Sequence, residues 1–189
     1  GARGWVGRGR IGDGVGDLAA GAGRNLILTG PDPGAEQRSK LEKQFGVTTH
    51  ADNLDAIAKA DVVIMAVKPQ MMKEVLDPLQ ATLSKRQPLL ISIAAGINMD
   101  SLARWSSCRA IVRCMPNTPS LLGLGATGLL GSKDVSLDQR NQADSLLRAV
   151  GLTVWVKTEA EIDAVTAVSG SGPAYCYLLI EAIIEADKK

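Results

Sequence analysis

Four short runs rich in Val, Ile and Leu constrain this chain more than any other feature: Asn25–Thr29, Asp61–Val67, Leu89–Ile93 and Ala110–Cys114. Each is bounded by turn residues and is too uniformly apolar for a strand with one wet face. Each therefore predicts a strand buried on both sides. Amphipathic stretches at Ala35–Gln44, Leu54–Ala60, Met71–Thr82 and Met99–Trp105 separate or follow them and predict helices. Alternation at this spacing builds βαβ units, so the expected class is α/β: a doubly wound, mostly parallel sheet with helices on both faces. A second section follows. Ala126–Leu130 and Thr153–Val156 read as strands, Ser136 as the cap of a helix from Leu137 to Val150, and Glu159–Ala167 as a short helix. The run Ser169-Gly170-Ser171-Gly172-Pro173 then leads into an apolar helix from Ala174 to about Ala186. Its large side chains cover more than one stripe, which predicts burial against protein beyond this chain.

Composition narrows the function classes. A formal charge of +1 over 189 residues offers no long-range attraction to nucleic acid or to an anionic membrane. No apolar run approaches the roughly 20 residues needed to cross a bilayer, and the glycine-interrupted N-terminus carries no secretory pattern. Cys108, Cys114 and Cys176 are irregularly spaced and match no zinc-ligand pattern, with His50 the sole histidine. The expectation is a cytoplasmic protein with reduced thiols and no metal.

Ligands in a doubly wound sheet bind at the carboxyl ends of the strands, and four loops here sit at such ends. Gly30-Pro31-Asp32-Pro33-Gly34 places Asp32 20 positions after Gly12, where an acidic residue usually holds a ribose hydroxyl; a plain turn residue is the alternative. Arg38, one helical turn further on, either meets a 2′-phosphate, favouring NADP(H) over NAD(H), or is a solvated helix residue. Ala66-Val67-Lys68-Pro69-Gln70 puts a cation at a strand end, with a proline to start the next helix. Ser92-Ile93-Ala94-Ala95-Gly96 has side chains small enough for a flat ring to approach the backbone. Met115-Pro116-Asn117-Thr118-Pro119 holds a polar pair rigidly between two prolines. Each loop taken singly is equally an ordinary turn.

Together and in order, these segments and Ala167-Val168-Ser169-Gly170-Ser171-Gly172-Pro173-Ala174-Tyr175 resemble bacterial pyrroline-5-carboxylate reductases from about Asp32 to Glu185. The Met115–Pro119 and Ser169–Tyr175 segments are the specific ones. The resemblance implies a Rossmann-like dinucleotide-binding domain over residues 1–168, followed from 169 by the start of an all-helical domain that forms a homodimer or higher homo-oligomer. It implies that Val67, Lys68, Pro69, Ala94, Ala95 and Gly96 line the cofactor, with Asn117 by the nicotinamide. It also implies that Ser169, Gly170, Ser171 and Gly172 lie beside the substrate, 1-pyrroline-5-carboxylate. N–H groups at the start of the last helix would face the substrate carboxylate. The cofactor expected is NADP(H), with NAD(H) as the alternative. A protonated imine is already electrophilic, so no nucleophile is required; Thr118 and Ser171 are the nearest candidates for a catalytic hydroxyl.

The chain departs from this pattern at both ends. Residues 1–24 hold nine of the twenty glycines and several arginines. The matching glycine turn would use Gly12, Gly14 and Gly16, spaced G-x-G-x-G, with Asp13 and Asp17 adding negative charge and no apolar strand ahead of them. At the other end the chain stops within the first long helix of the second domain, which predicts that this polypeptide alone is inactive. Two rival readings are a dehydrogenase of the 3-hydroxyacid or prephenate type and a non-catalytic nucleotide-binding fragment.

Overall fold

A computed structural model describes residues 2–7, 26–29, 39, 42, 43, 46 and 48–187. Its centre is an eight-stranded sheet ordered β3-β2-β1-β4-β5-β6-β7-β8. The strands are β1 (Ala2–Gly7), β2 (Leu26–Thr29), β3 (Thr48–His50), β4 (Ala60–Ala66), β5 (Leu89–Ser92), β6 (Ile111–Met115), β7 (Gly125–Gly131) and β8 (Gly151–Trp155). Every neighbouring pair is parallel except β6 and β7. The first six strands follow the 3-2-1-4-5-6 order of two mononucleotide-binding halves, so the sheet is Rossmann-like and doubly wound as expected.

The predicted strands lie within a residue or two of their expected positions. No apolar run precedes the glycine turn, as expected, yet a strand does: β1, Ala-Arg-Gly-Trp-Val-Gly, runs down the middle, paired to β2 from Arg3 to Val6 and to β4 from Ala2 to Gly7. Ladder bonds are made by backbone groups, and both flanking strands would otherwise leave unpaired N–H and C=O groups inside the sheet. That requirement outweighs a glycine- and arginine-rich composition.

Alternate residues on the central strands feed two apolar layers. Val62, Ile64, Leu89, Ile91, Val112 and Cys114 face the helix α5 (Leu137–Arg148), which contributes Ala143, Leu146 and Leu147. Val63, Met65, Leu90 and Ile111 face the other way. There they meet α2 (Met72–Leu76), α3 (Gln80–Arg86) and α4 (Met99–Ser106), while α1 (Asn53–Ile57) adds Ile57. The long helix expected over Met71–Thr82 is split, because Pro78 removes an N–H and crowds the preceding turn; a 3₁₀ turn at Asp77–Leu79 separates α2 from α3. Ser136 does cap α5: its hydroxyl accepts from Gln139 N at 3.2 Å, and the Gln139 side chain accepts from Ser136 N at 3.0 Å.

After β8, α6 (Glu159–Val165) runs through a π-helical turn at Thr166–Gly170 into α7 (Gly172–Asp187). The Ser169–Gly172 run is therefore helical, and it carries no open cradle of N–H groups: Ser171 N donates to Thr166 O at 3.0 Å and Ala174 N to Ser171 O at 3.1 Å. The extra residue of a π turn lets serine and glycine pass without breaking the rod. By length and composition the resulting helix, Glu159–Asp187, is long and apolar enough to cross a membrane, although polar and charged residues interrupt it and no single apolar run within it reaches that length.

Candidate functional site

The carboxyl ends of β4, β5 and β6 lie side by side, and three of the four loops singled out in the sequence follow them; the fourth, Gly30–Gly34, lies outside the described residues. Past β4, Val67 is buried and Lys68 exposed. Lys68 stands before a 3₁₀ turn that Pro69 opens, with Met71 N donating to its carbonyl at 2.9 Å. Past β5, Ile93 N donates to Met65 O at 3.2 Å, which ties this loop to the end of β4. The Ser92 hydroxyl, fully buried, accepts from Ala94 N at 3.3 Å. Gly96 has φ +73 and nothing within 4 Å of where a Cβ would project. A side chain there would strain the backbone, while the space beside it is open to a ligand.

Past β6, Asn117 is held at both ends of its amide. Its Oδ1 accepts from Ala126 N at 2.9 Å, and its Nδ2 donates to Ser169 Oγ at 3.1 Å. The backbone donor at Ala126 fixes which end is oxygen, so the Asn117 side chain joins β7 to the π turn. The two most specific segments of the sequence thus touch each other. Thr118 is exposed. The Ser171 hydroxyl donates to Thr166 O at 3.2 Å, so its proton is engaged within the helix. Ser169 receives a hydrogen bond from Asn117, which leaves its own proton for another acceptor. Gly170 lies against Met115: a Cβ on it would stand 2.6 Å from Met115 Cε. Gly12, Gly14, Gly16 and Asp32 lie outside the described residues, and so does Arg38.

One group escaped the sequence reading. Arg113, inside β6, is 4% exposed and ion-paired with Glu159, the first residue of α6. The other Glu159 oxygen accepts from Met99 N at 2.8 Å, at the start of α4. A lone arginine in an otherwise apolar strand run was the available signal, because a buried charge needs a partner. Burial lowers the guanidinium below its ordinary value, while the nearby Asp163 carboxylate opposes that shift.

Residues 4–96 match the family described as NADP oxidoreductase, coenzyme F420-dependent, and residues 159–189 match the pyrroline-5-carboxylate reductase dimerisation family. The pyrroline-5-carboxylate reductase of Pseudomonas aeruginosa is 49% identical over 176 residues, covering 93% of this chain and 64% of that protein. The chain therefore spans somewhat under two thirds of that relative. The solved pyrroline-5-carboxylate reductase of Coxiella burnetii superposes with a TM-score of 0.85 at 37% identity, covering 98% of this chain and 69% of that one. That of Plasmodium falciparum, solved with NADP bound, gives 0.81 at 31% identity, covering 98% and 68%. The prephenate dehydrogenase of Aquifex aeolicus matches at 16% identity with a TM-score of 0.68, covering 97% and 71%, which bears on the fold alone.

Proposed function

Because this chain belongs to the pyrroline-5-carboxylate reductase family, we propose that it is the cofactor-binding part of an enzyme that reduces 1-pyrroline-5-carboxylate to L-proline with NADP(H). The observation that carries the reading is the Asn117–Ser169 hydrogen bond. It joins the two family-specific segments at the carboxyl end of the sheet, beside the small-residue loop Ala94–Gly96. NAD(H) is the alternative cofactor.

The residues present fit a dinucleotide. Ala95 and Gly96 leave backbone exposed to a flat ring with buried Ala94 behind them, Lys68 offers a cation to a phosphate or ribose oxygen, and Val67 and Pro69 shape the wall between them. Gly12, Gly14, Gly16 and Asp32 complete the proposal as the pyrophosphate turn and ribose anchor. When bound, the reduced nicotinamide supplies a hydride for the imine carbon. The protein's own contribution is positioning. Asn117 orients Ser169, whose free proton is directed to an acceptor on the substrate. Gly172, with nothing within 4 Å of where a Cβ would project, leaves room for the substrate to approach, while Gly170 lets the turn pack close on Met115. Of the other two hydroxyls, that of Ser171 is committed to the Thr166 carbonyl, so Thr118 and Ser169 are the better candidates to touch the substrate.

We take residues 1–168 as the nucleotide-binding unit and 169–189 as the start of a helical unit that assembles with a second copy. The exposed apolar surface of α7 supports that assembly: Tyr177, Leu178, Ile180, Ile183 and Ile184 are each 51–65% exposed. The match of residues 159–189 to a dimerisation family favours a second protein copy over a bilayer as the cover for this helix.

The test is a titration of the chain with NADPH, and separately NADH, followed by nicotinamide fluorescence. Saturable binding, tighter for NADPH, is expected. A folded chain that binds neither cofactor would overturn the reading.

A further inference from the structure

We infer that the Arg113–Glu159 ion pair is a positioning device that sets where the π turn, and with it Ser169, stands relative to the cofactor loops; this rests on the functional reading above. Every second residue from Arg113 meets one helical rod: Arg113 pairs with Glu159, Met115 lies against Gly170, and Asn117 bonds Ser169. The two end pairs agree in length, since the four residues from Arg113 to Asn117 rise about 13 Å and the ten from Glu159 to Ser169 about 15 Å, while the long Met115 side chain reaches Gly170 from the middle of the run. The rod therefore lies along β6 in the same direction, fixed at both ends. Between those ends it packs closely on β7, where a Cβ on Gly128 would come within 2.9 Å of Val165 Cγ1.

Glu159 does more than close one contact. Its second oxygen caps α4 through Met99 N, and α4 begins directly after the Ala94–Gly96 loop. One carboxylate thus joins the loop after β5, the strand β6 and the rod that carries Ser169. An apolar pair would pack these elements as well, and often more stably, but it could not hold the α4 N–H. What the ion pair adds is a defined distance between the two ligand-facing loops.

The experiment compares the parent with Glu159→Gln, Glu159→Asp and the double variant Arg113→Met/Glu159→Leu, which keeps the layer packed should a single change unfold the chain. Two measurements are made: amide hydrogen exchange, and NADPH affinity by fluorescence. In Glu159→Gln and in the double variant, exchange should quicken together at residues 94–99 and 166–172, and NADPH binding should weaken roughly tenfold. Glu159→Asp should recover part of both. Unchanged exchange in these two segments, or faster exchange spread evenly over the chain, would overturn the positioning role. A parent that fails to bind NADPH would overturn the functional reading, while the exchange pattern would still decide the clamp.

Discussion

The strands β4 to β6 and the helix α7 are both strongly apolar, yet they end in opposite environments. Leu89, Leu90, Ile91, Ile111 and Val112 are wholly buried, whereas along α7 Leu178, Leu179, Ile180, Ile183 and Ile184 are more than half exposed. The strands find helices from their own chain on both faces. Among the described residues, the helix finds nothing comparable. Apolar content alone therefore does not locate the core; what matters is whether the topology brings a second layer to the surface in question.

The largest contrast should come from matched truncations. Ile91→Ala, at a fully buried site, should lower unfolding stability by about 2–5 kcal/mol in denaturant titrations. Ile180→Ala, 52% exposed, should change monomer stability by under about 0.5 kcal/mol while weakening self-association measured by sedimentation. Equal losses of monomer stability at the two sites would break the comparison.

A smaller effect is expected where the sheet ends. Gly151 opens β8 at φ +142, and a Cβ there would run into the Gly125 carbonyl oxygen. Gly151→Ala should cost about 1–3 kcal/mol by the same denaturant assay, through strain and overpacking at the β7–β8 pair.

Next comes Asp144, which fastens α5 to β8. It accepts from Thr153 Oγ1 at 2.7 Å and Trp155 Nε1 at 3.2 Å, and it pairs with Arg148. Burial pushes its carboxyl up, but the bonds from Thr153, Arg148 and Trp155 more than offset this, and the group titrates below its ordinary value. Its stabilisation is thus complete above the unfolded carboxylate pKa and is lost as pH falls through the lower folded one. Asp144→Asn should cost about 1–2 kcal/mol near neutral pH. It should also flatten the decline in thermal midpoint across that acidic window. An unaltered pH profile would show that Asp144 is not the titrating group.

The smallest change in free energy gives a direct reading of the same contrast. Cys108 and Cys114 are buried, and burial raises both thiols, Cys108 to about 11. Cys176, on α7, is exposed. A thiol reagent should label one cysteine in the native chain and three after unfolding. Protection of Cys176 at high protein concentration would show that α7 is the surface covered on assembly.

Much of this was legible in the residues. The runs at Asp61–Val67, Leu89–Ile93 and Ala110–Cys114 announced buried strands because Val, Ile, Leu and other apolar residues dominate them, with Asp61, Ser92 and Arg113 the exceptions. Ser136 and Gln139 announced a helix start because a capping box is a contact between residues three apart. The same local reading failed at Pro78, where a proline inside an amphipathic stretch was given too little weight. It failed again at β1, whose pairing depends on strands 20 and more residues away rather than on its own composition. At the site, the loops at Val67–Pro69, Ala94–Gly96 and Asn117–Thr118 could be named in advance from their place after strands. The hydrogen bond from Asn117 to Ser169 could not, since 52 residues separate them.

By itself, then, the sequence determined most of the strands and helices and which loops would follow strand ends, and its motifs taken together carried the family resemblance. The strands, helices and loop positions follow from side-chain periodicity and turn chemistry within a few residues. Only the tertiary structure decided that Ser171 spends its proton inside the helix, that Ser169 is the hydroxyl Asn117 leaves free, and that Glu159 answers a buried Arg113. Hydrogen bonds and ion pairs of that kind depend on distances set by packing between distant segments, and no local pattern in the chain encodes them.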